Sequence, residues 1–259
     1  MIKLIASDLD GTLIPEGEFG LSEQFFDVLG KLLDQGYEFY AASGRPYVSE
    51  KEVFGSFRNK IGYISDNGSL VVEDEEDVYI NEFPKDIARA ITEEFRDDSK
   101  GISIIAGTRY GYMTTQNQDF IDYVVNDIKV LVKQIDSYDD IPENPIKVSI
   151  NVPDADLLIP VQQELQAKYG EKVDFVTSGN GWIDGIYKKS GKGIALLEIM
   201  KKKGLKPEEV MVFGDNENDI SLFRVTPNSY CLAHSKEHVK AQAQYETADL
   251  AATLRKLVV

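Results

Sequence analysis

The fold prediction starts from the stretch DLDGTL at residues 8–13, which directly follows the short apolar run Ile2–Ser7. An apolar run of this length that ends in polar residues is typical of a buried strand followed by a loop. In open α/β sheets, ligands bind at the loops that follow the carboxyl ends of the strands. The carboxylates of Asp8 and Asp10 are therefore expected at a ligand-binding edge of a sheet.

The segments that follow alternate between helical and strand patterns. Apolar residues at helical spacing over 21–35, with Ser22 as an N-cap, predict the first helix. Further strands are predicted over 37–42 and 61–65, and the second of these ends in the turn signal DNG at 66–68. Strands that alternate with helices in this way predict a parallel sheet with right-handed crossovers.

The pattern changes near residue 80 and changes back near residue 190. Strands are predicted in the middle block over 102–106, 111–115, 147–152, 173–177 and 182–187, with helices over 84–97, 119–127 and 161–169. A helix over 193–203 and strands over 210–213 and 228–232 then resume the first pattern. We therefore expect an α/β fold, with a doubly wound, Rossmann-like parallel-sheet core over 1–81 and 186–259 and an inserted α+β cap domain over 82–185.

Composition restricts the partners of the protein. The chain has 259 residues, with 44 acidic and 28 basic side chains and a net charge of −16. An acidic surface repels nucleic-acid phosphates and anionic lipids, so we expect neither nucleic acid nor a membrane as a partner. Cys231 is the single cysteine, which excludes an intrachain disulfide and suits a reducing compartment. We expect a cytoplasmic monomer or homodimer.

Polar side chains follow several of the predicted strands. Candidate groups beyond the first loop are SGR at 43–45, GDNEND at 214–219, and Lys192 at the start of a helix. Each motif alone is typical of a turn, a helix cap or a solvated surface. Together, in an order that suits one sheet, they indicate one pocket. Carboxylates that converge on one site repel each other unless a cation binds, and oxygen-only ligands favour a hard ion such as Mg²⁺.

This set of groups suits phosphoryl transfer. One carboxylate of the first loop can act as a nucleophile and form an aspartyl-phosphate. The other can protonate the leaving oxygen and then activate water. Mg²⁺ and Lys192 would neutralise the charge on the transferring group, while Ser43 and adjacent backbone N–H groups hold its oxygens.

The four motifs, in this order, resemble those of the haloacid dehalogenase superfamily of phosphatases, in particular its Cof-type branch. Residues 8–13 match the first motif, and SGR at 43–45 matches a second motif that usually begins with Thr. Lys192 matches the lysine of the third motif, and residues 214–219 match the fourth. The resemblance spans the whole chain, including a large α/β cap between the second and third motifs.

The resemblance implies roles for individual residues. Asp8 would be the nucleophile and Asp10 the general acid and base. Mg²⁺ would be held by Asp8, the backbone carbonyl of Asp10, and Asp215. The implied phosphate-binding residues are Ser43, Gly44, Lys192 and Asn218, and the implied supporting residues are Arg45, Asn67 and Asp219.

The inserted block has its own candidates for substrate selection. Lys147 lies where the family often has a cap lysine, and Asn180 and Trp182 lie near the expected cap loop. The alternative for these three residues is that they only pack or face solvent.

The expected activity is Mg²⁺-dependent hydrolysis of small phosphate monoesters of the sugar-phosphate type, through an aspartyl-phosphate. Alternatives are a phosphomutase-like phosphoryl transferase and a binding protein without turnover on the same fold. The intact pair Asp8 and Asp10 argues against the binding protein. A dehalogenase would not need the metal that the acidic residues indicate.

Overall fold

The computed structural model describes residues 1–15, 17–18, 20–97, 99–177 and 181–258. It divides the chain into two compact units, which we call the core unit (Met1–Tyr79 and Gly191–Val259) and the inserted unit (Ile80–Ser190). No helix among the described residues is both long enough and apolar enough to cross a membrane.

The strands of the described residues are numbered along the chain. They are β1 (Leu4–Ser7), β2 (Glu38–Ala42), β3 (Gly62–Ser65), β4 (Leu70–Glu73), β5 (Glu76–Ile80), β6 (Ile102–Ala106), β7 (Gly111–Met113), β8 (Val132–Gln134), β9 (Lys147–Asn151), β10 (Val173–Thr177), β11 (Trp182–Tyr187), β12 (Val210–Gly214), β13 (Ser229–Leu232) and β14 (Tyr245–Thr247). The α-helices are α1 (Glu23–Asp34), α2 (Tyr47–Glu52), α3 (Lys85–Glu94), α4 (Gln118–Asn126), α5 (Ala155–Tyr169), α6 (Lys192–Lys203), α7 (Ile220–Phe223), α8 (Glu237–Lys240) and α9 (Leu250–Arg255).

The sheet of the core unit has the strand order β14-β13-β12-β1-β2-β3-β4-β5. The strands from β14 to β3 run parallel, which confirms the predicted parallel-sheet α/β core. In the middle of the sheet, Ser7 of β1 lies opposite Ala41 of β2 and Phe213 of β12. The residues that follow these three strands therefore leave the sheet at the same edge.

Helices cover both faces of this sheet. On one face, Leu4 and Ala6 of β1 belong to the same buried cluster as Leu196 of α6. Tyr40 of β2 belongs to this cluster as well. Side chains alternate between the faces along a strand, so the neighbouring Phe39 points to the other face, where its ring packs edge-on against Phe25 of α1. The Ser22 hydroxyl accepts a hydrogen bond from a backbone N–H in the first turn of α1, which confirms the predicted N-cap.

The hairpin of β4 and β5 was missing from the sequence prediction. β4 pairs antiparallel with β3 and brings two further strands to the edge of the parallel sheet. The hairpin turns at Asp74 and Glu75, whose φ angles are 50° and 70°. Turns with such angles usually carry Asn or Gly, so two acidic residues there gave no hairpin signal.

The inserted unit has a separate sheet with the order β10-β11-β9-β6-β7-β8. Its pairs are antiparallel except for β7 and β8. The predicted strands over 173–177 and 182–187 are confirmed as β10 and β11. The prediction for α5 was wrong at its start: the helix begins at Ala155, where Asp154 caps it, and it keeps Pro160 inside at the loss of one backbone hydrogen bond.

Candidate active site

A buried lysine joins two of the predicted motifs. The Lys192 side chain is fully buried at the first residue of α6. Its ammonium group donates to Asp8 Oδ1 at 2.5 Å and to Asp219 Oδ1 at 2.6 Å. Asp8 directly follows β1, and Asp219 lies in the loop after β12, so the adjacency of these strands brings both carboxylates to one cation.

Asp219 also forms hydrogen bonds with the backbone of the loop after β12. Its Oδ2 accepts hydrogen bonds from the backbone N–H groups of Asp215, at 3.0 Å, and Asn216, at 3.1 Å. The same carboxylate thus binds Lys192 and fixes the backbone of the loop that carries Asp215. Gly214 leaves room for this arrangement, since a Cβ there would lie 2.4 Å from the Asp219 Cβ.

Asp215 faces the loop after β1. Thr12 donates its hydroxyl hydrogen to Asp215 Oδ1 at 2.5 Å. Gly11 has a φ of +85°, and a Cβ there would lie 2.4 Å from Asp215 Oδ2. Only glycine combines this backbone conformation with such a close approach. Thr12 was quoted in the first motif but had no assigned role, because the partner of a loop hydroxyl depends on tertiary structure.

The three carboxylates Asp8, Asp215 and Asp219 place oxygen atoms within 4.8 Å of one another. Burial raises the pKa of Asp8 well above its usual range, and the charge of Asp219 raises it further, although Lys192 opposes both effects. Burial also raises the pKa of Asp215, and the Thr12 hydrogen bond opposes this shift. For Lys192, burial alone would lower the pKa, but Asp219 and Asp8 outweigh it and raise the pKa above its usual value.

This donor set fits a hard divalent cation. One ammonium offsets only one of the three negative charges, and the oxygen atoms are close enough for a single ion to touch more than one of them. The structure brings together Asp8 and Asp215, the two side chains that the sequence predicts as metal ligands. Asp219, which the sequence predicts only as a supporting residue, lies in the same acidic group.

The carboxylate of Asp10 lies in a different environment from that of Asp8. Arg45 binds both of its oxygens, with Nε to Oδ2 at 2.8 Å and Nη2 to Oδ1 at 2.5 Å. About half of the Asp10 side chain is exposed (52%). The ion pair therefore fixes the Asp10 carboxylate at a position that remains accessible from solvent. This contact is the support that Arg45 gives to the first loop.

Ser43 and its neighbours form the next part of the same edge. Ser43 is buried, and its hydroxyl oxygen accepts a hydrogen bond from the Arg45 backbone N–H at 3.1 Å. Asn67 lies beside this loop, since a Cβ on Gly44 would be 3.2 Å from the Asn67 amide. The Asn67 Oδ1 accepts a hydrogen bond from the Asn218 amide at 3.1 Å.

Two of the residues predicted for the inserted unit lie on neighbouring strands of its own sheet. Lys147 begins β9, is buried, and places its Nζ 3.3 Å from Asp184 Oδ1 on β11. Ser149 donates to the same Asp184 oxygen at 2.5 Å. The half-buried Trp182 packs its ring against Phe120, with centroids 6.0 Å apart. The predicted residue Asn180 lies outside the described residues.

Comparisons with known proteins agree with this geometry. The family model described as haloacid dehalogenase-like hydrolase matches residues 5–252. The chain belongs to the haloacid dehalogenase-like hydrolase family. It is 30% identical over 244 residues to the 5-amino-6-(5-phospho-D-ribitylamino)uracil phosphatase YbjI of Escherichia coli, covering 94% of this chain and 90% of that protein.

Two further relatives cover nearly the whole chain. The phosphatase YitU of Bacillus subtilis, which carries the same substrate in its name, is 24% identical over 254 residues, covering 95% of this chain and 92% of that protein. A crystal structure from Eubacterium rectale is 26% identical, covers 99% of both chains and superposes with a TM-score of 0.86. The match to the family confirms a hydrolase of the phosphatase type.

The charge balance around Lys192 predicts opposite effects of two substitutions in this hydrolase. In metal-free protein at pH 7, Asp8→Asn should raise the free energy of unfolding by about 1–2 kcal/mol, because it removes a buried negative charge that Asp219 and Asp215 repel, while the amide oxygen can still accept a hydrogen bond from Lys192. Asp219→Ala should lower it by about 3–5 kcal/mol, because it leaves the ammonium poorly paired and frees two backbone N–H groups. Urea unfolding in EDTA measures both.

The pH dependence provides the control for this prediction. The pKa of Asp8 is raised in the folded protein. At about pH 4 the carboxyl of the unfolded chain loses its proton, while Asp8 of the folded protein keeps it. The contribution of Asp8 to stability therefore falls as pH rises from the unfolded pKa through the folded pKa, and Asp8→Asn should remove that fall. A destabilised Asp8→Asn protein in EDTA would contradict the charge argument.

Proposed function

We propose that this phosphatase hydrolyses small phosphate monoesters with Mg²⁺, through an aspartyl-phosphate on Asp8. The observation that carries the proposal is the buried Asp8–Lys192–Asp219 cluster next to Asp215. A purely structural ion pair would not need a third carboxylate. A site that binds a cation and an anionic phosphoryl group uses all of these charges.

The proposed reaction has two steps. In the first, an Asp8 carboxylate oxygen forms a bond to phosphorus while the bond from phosphorus to the ester oxygen breaks. For this step Asp10 must carry a proton, and it gives that proton to the leaving oxygen. In the second, Asp10 takes a proton from water, the water oxygen bonds to phosphorus, and the bond between Asp8 and phosphorus breaks. Phosphate is released, Asp8 is again an ionised carboxylate, and Asp10 again carries its proton.

Other residues of the chain would bind the phosphoryl group. Lys192 offers positive charge beside Asp8, and Ser43, Gly44 and Asn218 offer a hydroxyl, a backbone N–H and an amide at the same edge of the sheet. Mg²⁺, held by Asp8, Asp215 and the Asp10 backbone carbonyl, would supply charge neutralisation for the transferring group. The neighbouring Asp219 would keep the loop with Asp215 in place.

Names of relatives guide the choice of substrate. Two relatives are named for a phosphate ester of a ribityl chain, which is a sugar alcohol. We therefore propose substrates of the sugar-phosphate type and put that compound first on a test panel. The buried free thiol of Cys231 suits a reducing, cytoplasmic setting for such a reaction. A phosphomutase-like transfer has no specific support in the geometry.

Removal of the metal tests the first part of the proposal. We expect EDTA to abolish hydrolysis of p-nitrophenyl phosphate and Mg²⁺ to restore it, because the acidic cluster would otherwise repel an anionic substrate. The release of inorganic phosphate is the measurement, and isothermal titration of Mg²⁺ gives its affinity directly. Full activity in EDTA would contradict the metal requirement.

Substitution of the two aspartates of the first loop tests their separate roles. Asp8→Asn should stop turnover, since no acyl phosphate can form. Asp10→Asn should slow kcat roughly 10²- to 10⁴-fold, the usual range for general acid–base catalysis, and most strongly for esters with poor leaving groups. The exposed Asp34, at the end of α1, provides the control variant Asp34→Asn. Equal and small effects at both positions would favour direct attack by a metal-bound water instead.

The inserted unit is proposed to select the leaving group. Lys147 and Trp182 lie on the two neighbouring strands β9 and β11, and β11 also carries Asp184, whose carboxylate lies within reach of Lys147. We expect Lys147→Ala and Trp182→Ala to change the ratios of kcat/KM among a panel of esters, while p-nitrophenyl phosphate reports the intact chemistry. The exposed Lys129 gives the control Lys129→Ala. Unchanged ratios would mean that both residues only pack.

A further inference from the structure

One buried carboxyl group of the core unit has no place in the proposed reaction. Glu50 on α2 is fully buried, while Glu52 on the same helix is exposed. The Ser65 hydroxyl donates to Glu50 Oε2 at 2.5 Å, and among the described residues no group hydrogen-bonds to its Oε1. A carboxyl group is costly to bury, so an apolar side chain would be favoured here if filling space were the only requirement.

The partner of Glu50 begins an unusual turn. Ser65 is the last residue of β3 and is followed by Asp66, Asn67 and Gly68, with φ angles of 48°, 55° and 88°. Left-handed backbone is unfavourable for residues other than glycine, so contacts around such a segment must hold it in place. The bond between Ser65 and Glu50 is one of these contacts, at the residue where the turn begins.

This turn touches three parts of the candidate active site. The Asn67 backbone N–H donates to the Ser43 carbonyl at 3.0 Å, and its side chain binds the Asn218 amide. A Cβ on Gly68 would lie 2.3 Å from the carbonyl oxygen of Gly191, the residue before Lys192. The turn therefore lies against all three segments that carry proposed phosphate-binding groups.

We propose that Glu50 is a positioning residue for phosphate binding: it anchors Ser65, and through the turn at 66–68 it sets the positions of Ser43 and Asn218. Glu50 need not touch the substrate. The inference rests on the proposed function for its ligand, a phosphoryl group, but the contacts that carry it are separate from Asp8 and Asp10.

The environment of Glu50 disfavours the ionised form of its carboxyl group. Burial raises its pKa well above the usual range, and the Ser65 hydrogen bond opposes that shift. The Asp66 and Asp8 carboxylates raise the pKa further, while Lys192 lowers it. A glutamine at this position is therefore a close mimic, because its amide oxygen can still accept the Ser65 hydrogen bond.

The test measures binding of inorganic phosphate by isothermal titration in the presence of Mg²⁺, with the full chain. Glu50→Met keeps the volume but removes the acceptor, and Ser65→Ala removes the donor. We expect each to weaken phosphate binding about 5- to 50-fold, which lies within the range typical of coupling between two sites of a protein. The phosphate Kd of Glu50→Gln should stay within about threefold of the wild-type value. The double variant of Glu50→Met and Ser65→Ala should bind phosphate as tightly as whichever single variant binds it more weakly.

Controls separate positioning from a general loss of structure. Glu52→Met, on the same helix but exposed, should leave the phosphate Kd unchanged. If Glu50 only supports the fold, Glu50→Met and Ser65→Ala would lower thermal stability while the folded protein keeps its Kd, and this result would overturn the inference. If Glu50→Met fails to fold, Ser65→Ala decides the question alone.

The outcome also separates this inference from the proposed function. A wild-type protein that hydrolyses p-nitrophenyl phosphate, with variants that bind phosphate normally, contradicts the role of Glu50 only. A wild-type protein that neither binds phosphate nor hydrolyses the ester contradicts the proposed function, and the inference about Glu50 falls with it.

Discussion

The site depends on the ion pairs that the buried ammonium group of Lys192 makes with Asp8 and Asp219. A fully buried cation is stable only when anions surround it, and here Asp8 and Asp219 do so from two different loops. Those loops must therefore follow adjacent strands, and the helix that starts with Lys192 must point its first turn at them. The order β12-β1-β2 satisfies this requirement, because β12, which leads to Asp219, lies beside β1, which leads to Asp8. The strand on the other side of β1 leads to Ser43.

Hydrogen bonds around the charged groups make their geometry rigid. Asp219 uses one oxygen for Lys192 and the other for two backbone N–H groups, so it cannot turn without losing several bonds at once. Thr12 and the close approach of Gly11 hold Asp215 in a similar way. A site that must favour a transition state benefits from groups that are already in position before the substrate arrives.

Much of the core unit and of the candidate site could be predicted from the sequence. The loops after β1, β2 and β12 were found because each combines an apolar run with an abrupt change to polar residues. Glu50 could not be found in this way, because a glutamate on a short helix is usually solvated and only tertiary structure buries it. The pairing of Asp10 with Arg45 was missed for a similar reason: sequence places both in loops, but side-chain partners depend on how the loops meet.

The negative charge that Lys192 does not neutralise couples the binding of the two proposed ligands, the divalent cation and phosphate. The ammonium of Lys192 offsets only part of the negative charge of Asp8, Asp215 and Asp219. These carboxylates would therefore repel a phosphate dianion that arrived alone, in a protein whose net charge is already −16. A divalent cation removes that repulsion, and a bound phosphate in turn adds ligand oxygens for the cation. Each ligand therefore raises the affinity for the other by the same factor. With a divalent cation bound at this edge of the sheet, the local charge would change, and an acidic surface would be compatible with an anionic substrate.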